Sequence, residues 1–150
     1  MRAMKNLSRR CGGRHARRGA ATVELALILP LFLLMTFGAI DFGRFAARAI
    51  AVDNGARAGA GYGIMHPYTT STQGIWASNM KQAVTDDMQS MFDSRFGSSD
   101  LAVSYVTTND PGSRWRVRVT VTFPFRTVIN WPGIPNQFNI TQSVEMRGIR

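Results

Sequence analysis

Cysteine is nearly missing from this 150-residue chain, and the one present, Cys11, has no possible intrachain partner. A disulfide framework within the chain is therefore excluded, and a lone thiol offers no ligand set for a structural zinc. Histidine is scarce too: His15 and His66 stand far apart. No nucleophile–His–acid set, metal-ligand cluster or phosphate-cradling loop can be picked out, which argues against an enzyme and implies no cofactor. Adjacent carboxylates at Asp86 and Asp87 would point in different directions on a helix. Acidic residues number nine, none of them in the first 19 positions. Seven basic residues crowd there (Arg2, Lys5, Arg9, Arg10, Arg14, Arg17 and Arg18), and the other 131 positions hold 11 basic against 9 acidic residues. The net charge of +9 thus belongs to the N-terminus. It does not describe a basic surface of the kind a nucleic-acid binder needs.

What the chain does have is a long apolar run. Ala20 to Ile40 reads AATVELALILPLFLLMTFGAI, 21 residues with one charge, Glu24. A helix of that length covers about 30 Å, the thickness of a bilayer's hydrocarbon core. The core helix of a soluble protein would need a larger surrounding domain than the rest of the chain supplies. Basic residues precede the run, whereas Asp41, Arg44, Arg48 and Asp53 nearly cancel after it. That asymmetry predicts a cytoplasmic N-terminus and an extracytoplasmic remainder, in a single-pass inner-membrane protein whose surroundings include membrane lipid. Pro30, inside the run, lacks an N–H and frees a carbonyl one turn back, so it kinks the helix or is tolerated within lipid.

Downstream, DFGRFAARAIAVDNGARAGAGYG (41–63) predicts a continuation of the helix, ended by the glycines at 59, 61 and 63. Asp41/Arg44 and Asp53/Arg57 have the spacing of helical ion pairs. Residues 64–74 read as a linker. Residues 75–96 predict an amphipathic helix, with Trp76, Met80, Val84, Met88, Met91 and Phe92 on one side and Gly97 as its stop. Three strands follow. The segment 101–108 ends in a turn at Asn109-Asp110-Pro111-Gly112. Across 114–125, Trp115, Val117, Val119, Val121 and Phe123 alternate with Arg114, Arg116, Arg118, Thr120 and Thr122. Pro124 predicts fraying or an edge position. The segment 138–147 alternates again, with Phe138, Ile140, Val144 and Met146 inward. The expected fold class is α+β: a long N-terminal transmembrane helix, a second amphipathic helix and a small three-stranded antiparallel sheet. The expected parts are a leader (1–19), a span (20–40), a helix extension and interaction segment (41–63), the linker, and an extracytoplasmic domain (75–150).

Two patterns bear on function. The first is Arg17-Arg18-Gly19-Ala20-Ala21-Thr22-Val23-Glu24, a glycine between a basic leader and an apolar helix with a carboxylate five residues later. A carboxylate within a membrane helix is costly, less so near its end. Taken alone, Gly19 also suits a plain helix start and Glu24 a place among the headgroups. The second is a row of small residues spaced by four, Gly43, Ala47, Ala51, Gly55, Gly59 and Gly63. Such rows let helices approach closely. The row predicts a helix–helix interface over Ala47, Ala51, Gly55 and Gly59 with a companion helix, or else is an accident of an alanine-rich helix.

The junction resembles the processing site of type IV prepilins, and residues 17–63 resemble the N-terminal region of TadE-like proteins of tight-adherence (Tad) pilus systems. The shared features are the Arg-Gly-Ala junction, Glu24, Leu29-Pro30, Asp41-Phe42-Gly43, and Asn54 with Ala56-Arg57. Leu25 stands where family members often carry an aromatic residue. The resemblance implies a pilin-like fold and a minor pilin or pseudopilin role in assembling a Tad-type (type IVc) pilus. It implies a prepilin peptidase cutting between Gly19 and Ala20, and Glu24 setting subunit registry against the new amine. It also implies a companion TadF-like pseudopilin among other pilus-assembly subunits. Two alternatives stay open. One is an unprocessed membrane-anchored assembly factor; the other is a soluble domain secreted by cleavage after Ala47-Arg48-Ala49. A nucleic-acid partner is not expected, since Trp115 lies opposite the strand arginines.

Overall fold

The structure is a computed structural model that describes residues 14–91, 101–111, 114–130 and 133–149. Helix α1 spans Arg14–Met65 and helix α2 spans Gln73–Met91. Strands β1 (Ala102–Asp110), β2 (Arg114–Arg126) and β3 (Gln137–Ile149) form one antiparallel sheet in the order β1-β2-β3. This is the expected α+β arrangement. The chain divides into two units, residues 1–39 and 40–150. In the first, the described part is the apolar portion of α1. In the second, the rest of α1 packs with α2 and the sheet around one core.

Alternation in β2 decides the core. Trp115, Val117, Val119, Val121, Phe123 and Phe125 are all buried, while the intervening residues are half-buried or exposed. Helix α2 covers that face with Trp76, Met80, Val84 and Met88, one per turn and all buried. Burying each large side chain stabilises the fold by roughly 1.5–3 kcal/mol. Ile140 is buried from β3, with Phe138, Val144 and Met146 packed half-buried against the core. Phe92, Phe96 and Gly97 lie outside the described residues, as does the leader before Arg14.

The boundary of α1 differs from the expectation. The glycines at 59, 61 and 63 do not end the helix, which runs on to Met65. Tertiary packing overrides their weak helix propensity. Gly59 is buried where α2 passes so close that a Cβ would lie 2.5 Å from Val84 Cγ2, and one on Gly55 would lie 2.8 Å from Met88 Cγ. These glycines are clearance for a second helix. Consequently the core includes Val52, Ala56 and Ala60 of α1, within the compact unit that begins at Ile40.

Pro124 lies in the central strand, yet its position suits it. The β1 ladder begins at Ala102 opposite Thr122, and Pro124 lies two residues beyond it, paired with Asn139 of β3. Among the described residues no β1 ladder bond falls at Pro124, so its missing N–H breaks none.

Candidate functional site: the apolar helix and the turn that follows it

Gly19, Ala20 and Glu24 all lie within the uninterrupted helix α1, and all three are exposed. A Cβ on Gly19 would meet nothing within 4 Å, so packing does not require glycine there. Twelve large apolar side chains between Val23 and Ile40 are exposed, with Leu27 reaching 75%. Left in water, such a row forgoes roughly 1.5–3 kcal/mol for each side chain that could be covered. By length and composition the helix can cross a membrane, with a mean hydropathy of 2.3 over its most apolar window. Thr36 Oγ1 donates to the carbonyl of Phe32 at 2.8 Å, a common way to satisfy a hydroxyl where water is absent.

Immediately beyond the apolar run, Asp41 is the one charged residue buried among the described residues, 6% exposed. Its Oδ1 accepts from Arg44 Nη1 at 3.1 Å and from the backbone N–H of Val128 at 2.9 Å. A buried carboxylate is tolerable when paired and hydrogen-bonded, and Asp41 has both. The Asp41/Arg44 and Asp53/Arg57 pairs are those the sequence predicts, the latter at 2.9 Å. The bond to Val128, 87 residues away, is not legible in the sequence; the one hint is an acid set directly after an apolar run. Nearby, the Arg48 guanidinium lies 5.5 Å from the ring centroids of both Phe123 and Phe125, and that of Arg44 lies 5.7 Å from Phe125. Burial, and then the like charge of Arg44, lower the Arg48 pKa from its ordinary value. Phe45 packs edge-on against Phe125 at 5.7 Å.

The small-residue row is divided. Gly43 and Ala47 are exposed, Ala51 is buried, and Gly55 and Gly59 are filled by Met88 and Val84 of α2. At those two glycines the companion helix belongs to the same chain. His66 is exposed, stacked on Tyr62 at 4.2 Å, with Nδ1 3.1 Å from the Tyr62 carbonyl.

Residues 19–61 match the family model of TadE-like proteins. The match lies wholly within α1 and covers less than a third of the chain. No curated protein and no solved structure matches. At this level the chain carries a TadE-like segment, which associates it with Tad pili and with a family not composed of enzymes, and among the described residues one helix is suited by length and composition to crossing a membrane.

Proposed function

We propose that this TadE-like chain is a minor pilin or pseudopilin, anchored by residues 20–40 with its basic leader in the cytoplasm, that takes part in assembling a Tad-type pilus. A prepilin peptidase cuts it after Gly19. The observation that carries the reading is an exposed apolar run (20–40) within one continuous helix, whose single carboxylate, Glu24, follows an unpacked glycine by five residues. Gly19 meets nothing that would exclude a side chain, so its small size answers no packing need. A peptidase must draw the bond out of the helix, and glycine weakens a helix by about 1 kcal/mol relative to alanine. Cleavage frees the amine of Ala20. Glu24 of one subunit pairs with that amine on a neighbour, and the cost of leaving either charge unpaired in lipid favours one subunit register over slipped ones.

A TadF-like pseudopilin and other assembly subunits are the partners this reading implies. Secretion by cleavage after Ala49 fits the structure poorly. That cut would remove Asp41, Phe45 and Arg48, which tie α1 to the loop after β2 and to Phe125.

Intact mass and N-terminal sequencing of the protein from membranes of its native host test the proposal. A start at Ala20 is expected. A start at Met1 or Arg2 would instead indicate an unprocessed assembly factor, and a start at Ile50 a secreted domain.

A further inference from the structure

The described residues of the connection between β2 and β3 are tied in two places, to each other and to the start of the α1 segment that follows the apolar run. Thr127 N–H donates to the carbonyl of Asn136 at 3.1 Å and closes its base. The Val128 N–H bond to Asp41 fastens it to the residue directly after Ile40. Gly133 turns it at a φ of 84°, in the left-handed region that other residues rarely adopt. Ile129 is half-buried, but Val128 and Ile134 are left outside, 60% and 54% exposed. On α1, Phe42 and Ile40, the neighbours of Asp41 in sequence, are exposed as well.

Val128 also lines an open groove of about 350 Å³, together with Arg126, Thr127, Asn130, Asn136 and Gln137. Its lining holds one cation and three amides and no carboxylate. Arg44 and Arg48 lie at the same end of the sheet, over Phe123 and Phe125.

We infer that Val128 and Ile134, with the groove lined by Arg126, Asn130, Asn136 and Gln137, rest on the bilayer surface and engage anionic phospholipid headgroups near the residue at which the chain leaves the membrane. This rests on the membrane-anchored reading of residues 20–40. Val128 is hydrogen-bonded to Asp41, the residue that directly follows the apolar run in the chain, so these groups belong to the part of the folded unit attached next to the span. Val128 and Ile134 enter the boundary between headgroups and acyl chains, where exposed aliphatic area is removed from water. Arg126 and the amides donate to phosphate and ester oxygens, a charge-assisted pattern suited to an anionic headgroup. The contact fixes how close the domain stands to the membrane.

The test uses the full chain with Cys11→Ser and single cysteines at Val128, Ile134, Thr108 or Leu33, each carrying an environment-sensitive fluorophore. Each variant is reconstituted in phosphatidylcholine–phosphatidylglycerol vesicles containing lipids spin-labelled near the headgroup or at the chain end. Thr108 is exposed and pairs with Arg116, about ten residues along β2 from Arg126, or roughly 33 Å away. Headgroup-level spin labels are expected to quench positions 128 and 134 several-fold more than position 108. Chain-end labels are expected to quench position 33. Arg126→Gln is expected to shrink the excess quenching at 134 that phosphatidylglycerol gives over pure phosphatidylcholine. Quenching at 128 and 134 no stronger than at 108, with 33 still quenched, overturns the loop proposal alone. Loss of quenching at 33 overturns the membrane reading and takes the loop proposal with it.

Discussion

At Asp41 one carboxylate joins two segments that are distant in sequence, so its removal affects both. Asp41→Ala leaves the Val128 N–H without its acceptor and deprives Arg44 of its partner. A lost bond to a buried charged group costs on the order of 1.5–3 kcal/mol. The expected outcome is a fall in unfolding free energy of that size in detergent micelles, with faster amide exchange confined to residues 127–136. Asp41→Asn, which keeps an oxygen acceptor, should lose less. Glu145 is a contrasting acid. It accepts from Arg118 Nη2 at 2.6 Å and from Arg116 Nη1 at 3.4 Å on the exposed sheet face. The hydrogen bond from Arg118 is the main cause that holds its carboxyl below the ordinary value of 4.5. Because the folded value is depressed, the contribution to stability is present above about pH 4.5 and is lost as pH falls through the folded value. An NMR pH titration should find the Glu145 midpoint below the ordinary glutamate value, rising when Arg118 is changed to glutamine. An unchanged midpoint in that variant would remove the pair from the account.

At the scale of elements, the contact between α1 and α2 depends on size as well as hydrophobicity. Gly59→Ala raises helix propensity by up to about 1 kcal/mol. It also places a Cβ 2.5 Å from Val84 Cγ2, and overpacking of this kind typically costs about 1–3 kcal/mol. The net expectation is destabilisation. Val84→Ala alone opens a cavity and destabilises too. In the double variant the new methyl occupies part of the vacated space, so the two effects should sum to less than their separate values. Denaturant unfolding of the four proteins checks this, with a coupling of about 0.5–3 kcal/mol expected for side chains in contact. Strict additivity would show that α2 sits elsewhere. Leucine at Gly55 is predicted to damage the fold of the single chain, because Met88 Cγ already occupies the space.

For the whole molecule, the question is where the folded unit starts. The compact unit begins at Ile40, before the Asp41 tie and the Phe45–Phe125 contact. A fragment beginning at Ile40 should therefore unfold cooperatively with the full sheet and helix signal. One beginning at Ile50 keeps Val52, Ala56 and Ala60 but loses both ties, and should melt at a distinctly lower temperature by circular dichroism. Assembly depends on the other end of α1. If Glu24 sets register between subunits, Glu24→Ala should leave the mass and membrane insertion of the mature protein unchanged while reducing its recovery with sheared pili or with its assembly complex. Equal recovery would refute that role.

Much of this architecture follows from local pattern. The apolar run from Ala20 to Ile40 is legible because length and lack of charge alone set whether a helix suits a bilayer. The alternation through Trp115–Phe123 and the four-residue stride of Trp76–Met88 are legible because burial on one face imposes the period of the backbone. Tertiary structure alone decided the rest. Gly59 looks like a helix breaker until α2 is laid across it, and then the same absence of a side chain becomes the clearance that lets two helices touch. Asp41 reads as half of a surface ion pair with Arg44 until folding brings the Val128 N–H, 87 residues on, to its other side. Sequence patterns report what each segment does with its own two faces; which distant segment covers a face depends on chain closure, and no local period encodes it.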